Sequence, residues 1–431
     1  MNLLSICFSN AIKNVIKFFI PKRFILCLRV LRVRILQKMV LLRIRRKVRL
    51  GGKINVLFLS SENAKWKCQS LYNLMQESEW FNPIIGIMRQ DVDIKDERES
   101  IRRNIDQAKD FFYANGCVSS IIYDVERLKY KNLRDFSPDI IFYQQPWNVA
   151  SPMLPEWVSS YALPCYVPYY VPNYIFPELA YGRPFFHYYL AYHFVLNDFE
   201  KKIGLSIRKA WKFAGTLEST GHPFLDDFFL TPIEKSQKSC IVYAPHFTFS
   251  HPKNSCIVHY STFLEYGVYI LEYAKQHPEF NWVFKPHPVL RTALLKSGVW
   301  TEKQVDEYYA EWKNIGRIHE SGNYLSLFRE TAVMITDCGS FLTEFAVTGQ
   351  PIIHLINPNN KLELMPLYLT YYRVCSKDDL KRELHEILEK KNDSRRNERI
   401  QAVSEANICG QYAAKNIMNF LMSELRIKDN V

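Results

Sequence analysis

Three short segments of this chain carry residue types suited to phosphate chemistry, and each follows an apolar run. His246, with Thr248 beside it, follows Cys240-Ile-Val-Tyr-Ala-Pro245. Lys285, His287 and Arg291 follow Asn281-Trp-Val-Phe. Thr336, Asp337, Gly339 and Ser340 close the run that starts at Ala332, and Glu344 lies one helical turn after Ser340. An imidazole donates a hydrogen bond to phosphate oxygen or accepts a proton near neutral pH. Fixed cations such as Lys285 and Arg291 offset negative charge on a leaving nucleotide without a metal. A Gly-Ser helix start presents unpaired N–H groups and a positive dipole end to phosphate. Ser340 and Glu344 then share one helix edge, so a hydroxyl for pyrophosphate and a carboxylate for a ribose diol come from one element. The plainer roles are an N-cap for Ser340, a solvated position for Glu344 and structural places for the histidines.

These residues converge only if the elements before them are neighbouring strands of one sheet. Residues 332–355 read as a βαβ unit, with Gly349 ending the helix and Pro351 opening the next strand. In a parallel sheet the loops after 240–245, 281–285 and 332–336 open on the same edge. Upstream, residues 53–60, 82–88, 119–123 and 139–143 read as buried strands alternating with helical stretches near 65–77 and 91–115. That alternation predicts a doubly wound α/β domain. The Gln144-Gln145-Pro146-Trp147-Asn148 loop sits at a strand's carboxyl end, where such sheets bind ligands. Residues 166–174 hold four tyrosines and two prolines, which suits either a rigid aromatic wall or Pro-kinked connections. Charged helices are expected over 378–390 and about 395–427.

The formal charge of +12 is confined to one place: residues 1–50 hold thirteen Lys/Arg and no acid, leaving 43 bases against 44 acids elsewhere. The bases interleave with Leu, Ile, Val and Phe, which argues against a simple solvated polyelectrolyte arm; no nucleic-acid partner is expected, although a nucleic-acid-binding arm is one alternative to the reading that follows. An anionic membrane surface is the expected partner, with a helix packed on the body as the other alternative. No uncharged run approaches the ~18 residues of a membrane span, and the apolar start precedes the first charge, the reverse of a secretory signal. Ten cysteines without C-x-x-C or metal-ligand spacing suggest reduced thiols in a cytoplasmic protein, with no metal site.

Gly221-x-Pro223-x-x-Asp226, Tyr243-Ala-Pro-His246, Lys285-Pro-His287-Pro and Thr336-Asp337-x-x-Ser340-x-x-x-Glu344 to Gly349-x-Pro351 occur in a familiar order. Over roughly 200–360 the chain resembles the CDP-glycerol glycerophosphotransferase family, polymerases and primases of teichoic-acid-like polymers. The resemblance implies two Rossmann-like doubly wound domains facing each other (GT-B-like), with the basic N-terminal arm as a peripheral membrane segment. Its boundaries are an arm over 1–50, an acceptor domain over 51–230, a nucleotide-donor domain over 231–375 and C-terminal helices over 376–431 packing back on the body. It implies a CDP-activated polyol as donor, a lipid-linked or glycan acceptor, and no cofactor. His287 is then the His-Pro histidine, Ser340 the helix-start serine, and Glu344 the ribose-binding acid where the family usually has Asp. The family's first-domain Trp-His-Gly-Thr, with its expected base, is absent, and an Arg of its Pro-Arg-Asn-Asp is replaced within Pro223-Phe224-Leu225-Asp226. The expected function is phosphopolyol transfer at the inner face of the cell membrane, with His287 and His246 catalytic. The alternatives are a nucleotide-sugar glycosyltransferase and a non-catalytic scaffold of the same fold.

Overall fold

The computed structural model describes residues 22–61, 63–90, 97–147, 149–171, 184–208, 215–230, 240–252, 259–320, 324–358, 366–406 and 412–427. The polar run 231–239 and residues 172–174 of the Tyr/Pro segment lie outside them.

The first sheet takes β1 (Ile54–Ser60), β2 (Phe81–Ile87) and β3 (Ser119–Ile121). A small antiparallel pair, β4 (Tyr123–Asp124) and β5 (Lys129–Tyr130), follows. The sheet resumes with β6 (Ile140–Tyr143), β7 (Leu163–Tyr166), β8 (Tyr192–Val195) and β9 (Thr216–Ser219). Its seven strands run parallel in the order β3-β2-β1-β6-β7-β8-β9. β1 is apolar along nearly its whole length because helices cover both faces of the sheet. Phe58 stacks on Phe142 of the adjoining strand at 4.8 Å. The second sheet contains β10 (Cys240–Ala244), β11 (Asn281–Phe284), β12 (Arg317–Ile318), β13 (Thr331–Thr336), β14 (Ile352–Leu355) and β15 (Tyr372–Val374). All six are parallel in the order β12-β11-β10-β13-β14-β15. In both sheets the strand order reverses beside a central strand, next to β1 in one and β10 in the other. A crevice forms at the carboxyl ends of strands at such a reversal. Two doubly wound units of this kind confirm the α/β architecture expected from the strand–helix alternation.

The expected tail helix over 395–427 is two helices in two cores. Arg396–Glu405 packs Val403 into the second core, while Ala413–Leu425 places Ile417, Leu421 and Leu425 in the first. Asp226 anchors the returning helix by accepting the Ala413 and Ala414 N–H groups at 2.9 and 2.7 Å. The acid of the Gly221–Asp226 motif is thus an N-terminal cap, satisfying two orphan donors.

Residues 22–49 of the basic arm form one helix docked along the first sheet, not a free tether. Val30, Val33, Val40, Ile44 and Val48 recur at helical spacing and are buried. Gln37, also buried, donates to Ser159 Oγ at 2.8 Å and to the Tyr189 carbonyl at 2.7 Å. Arg34 donates to the Leu190 carbonyl at 2.7 Å, and Arg45 to the Glu424 carbonyl at 2.8 Å. Several bases that read as membrane charge are therefore committed to the body. Opposite this buried face, Leu28, Leu31, Ile35, Met39 and Leu42 form an exposed apolar stripe. No helix among the described residues is long and apolar enough to cross a membrane. Since Ile44 is fully buried in the first core, Ile44→Ala should lower unfolding free energy by about 2–5 kcal/mol, read by urea titration of the full chain. A change within error would mean that the helix docks only loosely.

Candidate functional site

β10, β11 and β13 are adjacent, so their following loops meet at one sheet edge. Asp337 ties two of them together. Its Oδ1 accepts the His246 N–H at 2.6 Å, and its Oδ2 accepts the Thr262 N–H and hydroxyl at 2.6 and 2.8 Å. Burial pushes its pKa up to about 6, against the opposing pull of those donors. Thr336 works alongside: its hydroxyl donates to the Ala244 carbonyl at 2.7 Å and accepts the Cys338 N–H at 2.9 Å. Both were expected to contact a donor; their polar atoms instead hold the loops. His287 joins the same edge through its N–H, which donates to the Pro245 carbonyl at 3.0 Å.

The two imidazoles lie with ring centroids 4.8 Å apart. His287 Nδ1 accepts the Val289 N–H at 3.2 Å. His246 Nδ1 accepts the Thr248 N–H at 3.3 Å and lies 2.8 Å from the Thr248 hydroxyl, which itself accepts the Tyr260 N–H. An Nδ1 that accepts leaves the ring proton of a neutral imidazole on Nε2. Each ring is therefore a fixed Nε2–H donor, and neither Nε2 bonds to a described residue. Burial first, and Lys285 second, lower the His287 pKa to about 3; burial and then His287 hold His246 well below its ordinary value.

Lys285 and Glu344 come together in a second cluster. Glu344 is buried, not at a solvated helix edge: it accepts the Tyr324 hydroxyl at 2.5 Å and the Val171 N–H at 3.5 Å. Tyr324 in turn accepts Lys67 Nζ at 2.9 Å, and that ammonium lies 3.9 Å from the Phe224 ring centroid. Lys285 Nζ lies over the Tyr324 ring at 5.5 Å. Burial raises the Glu344 pKa, with Lys67 the leading opposing influence; burial likewise lowers that of Lys285. Lys67, from the loop after β1, has its N–H bound to Gln144 Oε1 at 3.1 Å at the end of β6. The strand-order reversal of the first sheet thus faces the edge of the second.

Ser340 lies in the first turn of the six-residue helix Gly339–Glu344, its hydroxyl 3.6 Å from Cys338 Sγ. Cys338, not Ser340, occupies the N-cap. Gly339 opens the helix and is buried, and Gly349 ends the following turn at φ 67, a left-handed value glycine adopts without strain. Arg291 points elsewhere: its guanidinium pairs with Asp306 and lies over the Tyr309 ring. From the Tyr/Pro segment, Tyr169 packs edge to face with Trp147 and with Tyr170. Lys67 and Tyr324 were missed as site residues. Lys67 was open to detection, since it follows the first strand of a doubly wound domain; Tyr324 was not, because its partners come from three distant segments.

No protein-family model matches the chain, and no curated protein matches it. Solved structures do, at low identity. UDP-GlcNAc 2-epimerase from Neisseria meningitidis, bound to UDP-GlcNAc, is 16% identical with a TM-score of 0.53, over 86% of this chain and 100% of that one. The wall teichoic acid polymerase TagF (H548A) is 12% identical with a TM-score of 0.53, over 90% of this chain and 98% of that one. S. aureus MnaA with UDP is also 12% identical at 0.53, over 87% and 98%. The chain has a GT-B fold. Its two doubly wound units and their crossing C-terminal helix belong to that arrangement.

The buried histidines also set the protein's acid sensitivity. The pKa values of His287 and His354 are lowered to about 3 and that of His222 to about 4, by burial in each case first. Unfolded histidine titrates near 6.5, so the unfolded chain binds more protons below that pH. The stability they contribute is complete above pH ~6.5 and is lost progressively as pH falls toward 4 and 3. The unfolding free energy from urea titration should fall between pH 7.5 and 5 by roughly 1–2 kcal/mol per histidine, carrying the urea midpoint down with it, and His354→Asn should flatten that slope. Equal midpoints at both pH values would mean that these rings are solvated.

Proposed function

We propose that this chain is a transferase that uses a nucleotide-activated donor and moves a phosphopolyol, glycerol phosphate in the first instance, from a CDP-activated form to a hydroxyl of a cell-surface polymer or glycan. The observation that carries this reading is the pair of neutral imidazoles at one sheet edge, ring centroids 4.8 Å apart, whose Nε2–H groups bond to no described residue. Two fixed donors on neighbouring rings suit the oxygens of one diphosphate, and they strengthen as charge develops on the departing phosphate. With its proton on Nε2, each ring acts as a donor and not as the general base. Lys285 supplies positive charge nearby; Ser340 and the N–H groups around Gly339 lie at the same edge. Glu344 is the group for a ribose diol, reached when a hydroxyl of the nucleotide takes the place of the Tyr324 hydroxyl. The TagF likeness and the motifs shared with the glycerophosphotransferase family support this donor class. The likeness to a UDP-GlcNAc-bound epimerase favours a second reading, transfer of a sugar from a nucleotide sugar.

Incubation with a panel of activated donors, followed by mass spectrometry of the nucleotide released, separates them: CMP for phosphopolyol transfer, a nucleoside diphosphate for sugar transfer. His287→Ala should lower turnover on the productive donor by a factor on the order of 10², the usual loss for a transition-state donor. Full activity in that variant removes the imidazole pair from the mechanism, and no turnover on any donor leaves the scaffold role.

The arm helix is the proposed contact with an anionic membrane. The stripe from Leu28 to Leu42 is the apolar part of that face, and the exposed Lys38, Arg46 and Arg49 are its charge. Ile35 and Met39 are 54% and 61% exposed, so their replacement spares the docked side. Ile35→Glu with Met39→Glu should release the protein from anionic vesicles while its thermal melt is unchanged. Wild-type binding should weaken with salt, since exposed charge is screened over about 10 Å at 0.1 M. Undiminished binding by the double variant refutes this contact.

A further inference from the structure

Where the arm helix meets the first sheet, a pocket of about 320 Å³ is lined by Arg43, Lys47, Asn55, Arg134, Asp139 and Tyr161 among others. Its cations come from two walls. Arg43 and Lys47 project from the arm helix and converge on Asp139, at 3.2 and 2.6 Å. Arg134 approaches from the body, where it donates to Ser160 Oγ at 3.0 Å and lies over the Tyr161 ring at 4.3 Å. Asp139 is buried and also accepts the Asn55 N–H at 3.0 Å, so it fixes its two cations in place rather than swinging with them. One carboxylate against three cations leaves the pocket two positive charges in excess.

We propose that this pocket binds a phosphate monoester. Such a group carries about −1.5 to −2 charge at pH 7 and three acceptor oxygens, which match the surplus charge and the donors converging from both walls. A phosphodiester carries one charge and has one oxygen fewer to offer. The setting favours a lipid headgroup as the source, a step that rests on the membrane contact proposed above. Arg43 directly follows Leu42 of the exposed stripe, so the pocket opens on the flank of that face, at headgroup level when the stripe lies in the interface. A free sugar or polyol phosphate presents the same chemistry and is the other source.

The test uses the full chain and two probes. Phosphatidylcholine vesicles doped with phosphatidic acid are compared with vesicles of equal surface charge doped with phosphatidylglycerol, and soluble glycerol phosphate is titrated by calorimetry. The expected result is a roughly five-fold preference for the phosphatidic acid vesicles, about the weight of one interfacial base. Arg134→Gln, which lies off the arm helix, should abolish that preference while leaving phosphatidylglycerol binding and the thermal melt unchanged; Lys47→Gln should abolish it too, with a lowered melt because buried Asp139 loses a partner, and is compared below that melt. Binding of soluble glycerol phosphate that is lost in the same variants, without any vesicle preference, supports the site and makes its ligand a free phosphate. Soluble binding with no attachment to either vesicle also supports the site while rejecting the membrane contact. Equal binding to both vesicles together with no soluble binding overturns the proposal, as does a preference that survives both substitutions.

Discussion

The edge of the second sheet depends on one buried carboxylate. Asp337 receives three hydrogen bonds from the loop after β10 and the start of the helix Phe263–Gln276, in a place where its own charge is costly. A charged acceptor is worth roughly twice a neutral one, and here it replaces water for two backbone N–H groups that no secondary structure satisfies. His246 cannot be placed without it, because the bond to Asp337 comes from the His246 N–H itself. Through the ring contact the same constraint extends to His287. Arg399, wholly buried, secures the other end of the unit by donating to the Gly349 carbonyl at 3.0 Å and to Asp393. The edge that carries the two histidines is thus held by residues that do not themselves face it.

The architecture was legible in the sequence because its signals are local. Buried parallel strands such as β1 and β13 are short apolar runs ended by Ser, Thr or Asp, and the loops after them hold most of the chemistry. What escaped is set by distance in the chain. Glu344 has the spacing of a solvated helix residue, but Tyr324, Val171 and Lys67 remove it from water, and no periodicity encodes that burial. Asp337 and Thr336 have side chains a phosphate would accept; their commitment to Thr262 and Ala244 depends on strand pairing. Arg291 shows the same limit: its partner Asp306 lies on the next helix. The arm failed for a related reason. Its buried valines and its exposed leucines and bases alternate within one helix, so composition alone described both faces as one.

The relay from Lys67 through Tyr324 to Glu344 places both domains in one buried polar cluster. Each group there would be costly alone: an ammonium, a phenol and a carboxylate taken out of water. Together they are satisfied, the ammonium by a hydroxyl and two aromatic faces, the carboxylate by that hydroxyl and the Val171 N–H. A network with every member paired fixes relative orientation better than apolar contact does, since sliding would strand a charge. The domains therefore meet at a defined angle in this state, and a nucleotide ribose would have to exchange with the Tyr324 hydroxyl one bond at a time.

Strand β6 connects this cluster to the opposite edge of the first sheet. Asp139 stands just before it, held by Arg43 and Lys47 of the arm helix, and Gln144 just after it, holding the Lys67 N–H. The five steps between them span about 17 Å at ~3.3 Å per residue. The seam with the arm and the floor of the cleft are thus opposite ends of one buried strand, in fixed register with its neighbours. On the reading proposed here, a membrane met by the arm lies beyond the amino ends of the sheet, while chemistry occurs beyond its carboxyl ends. An acceptor anchored in that membrane must then extend past the body of the first domain before its hydroxyl reaches the imidazoles. A growing polymer or a glycan of several units has that reach; a bare lipid headgroup does not.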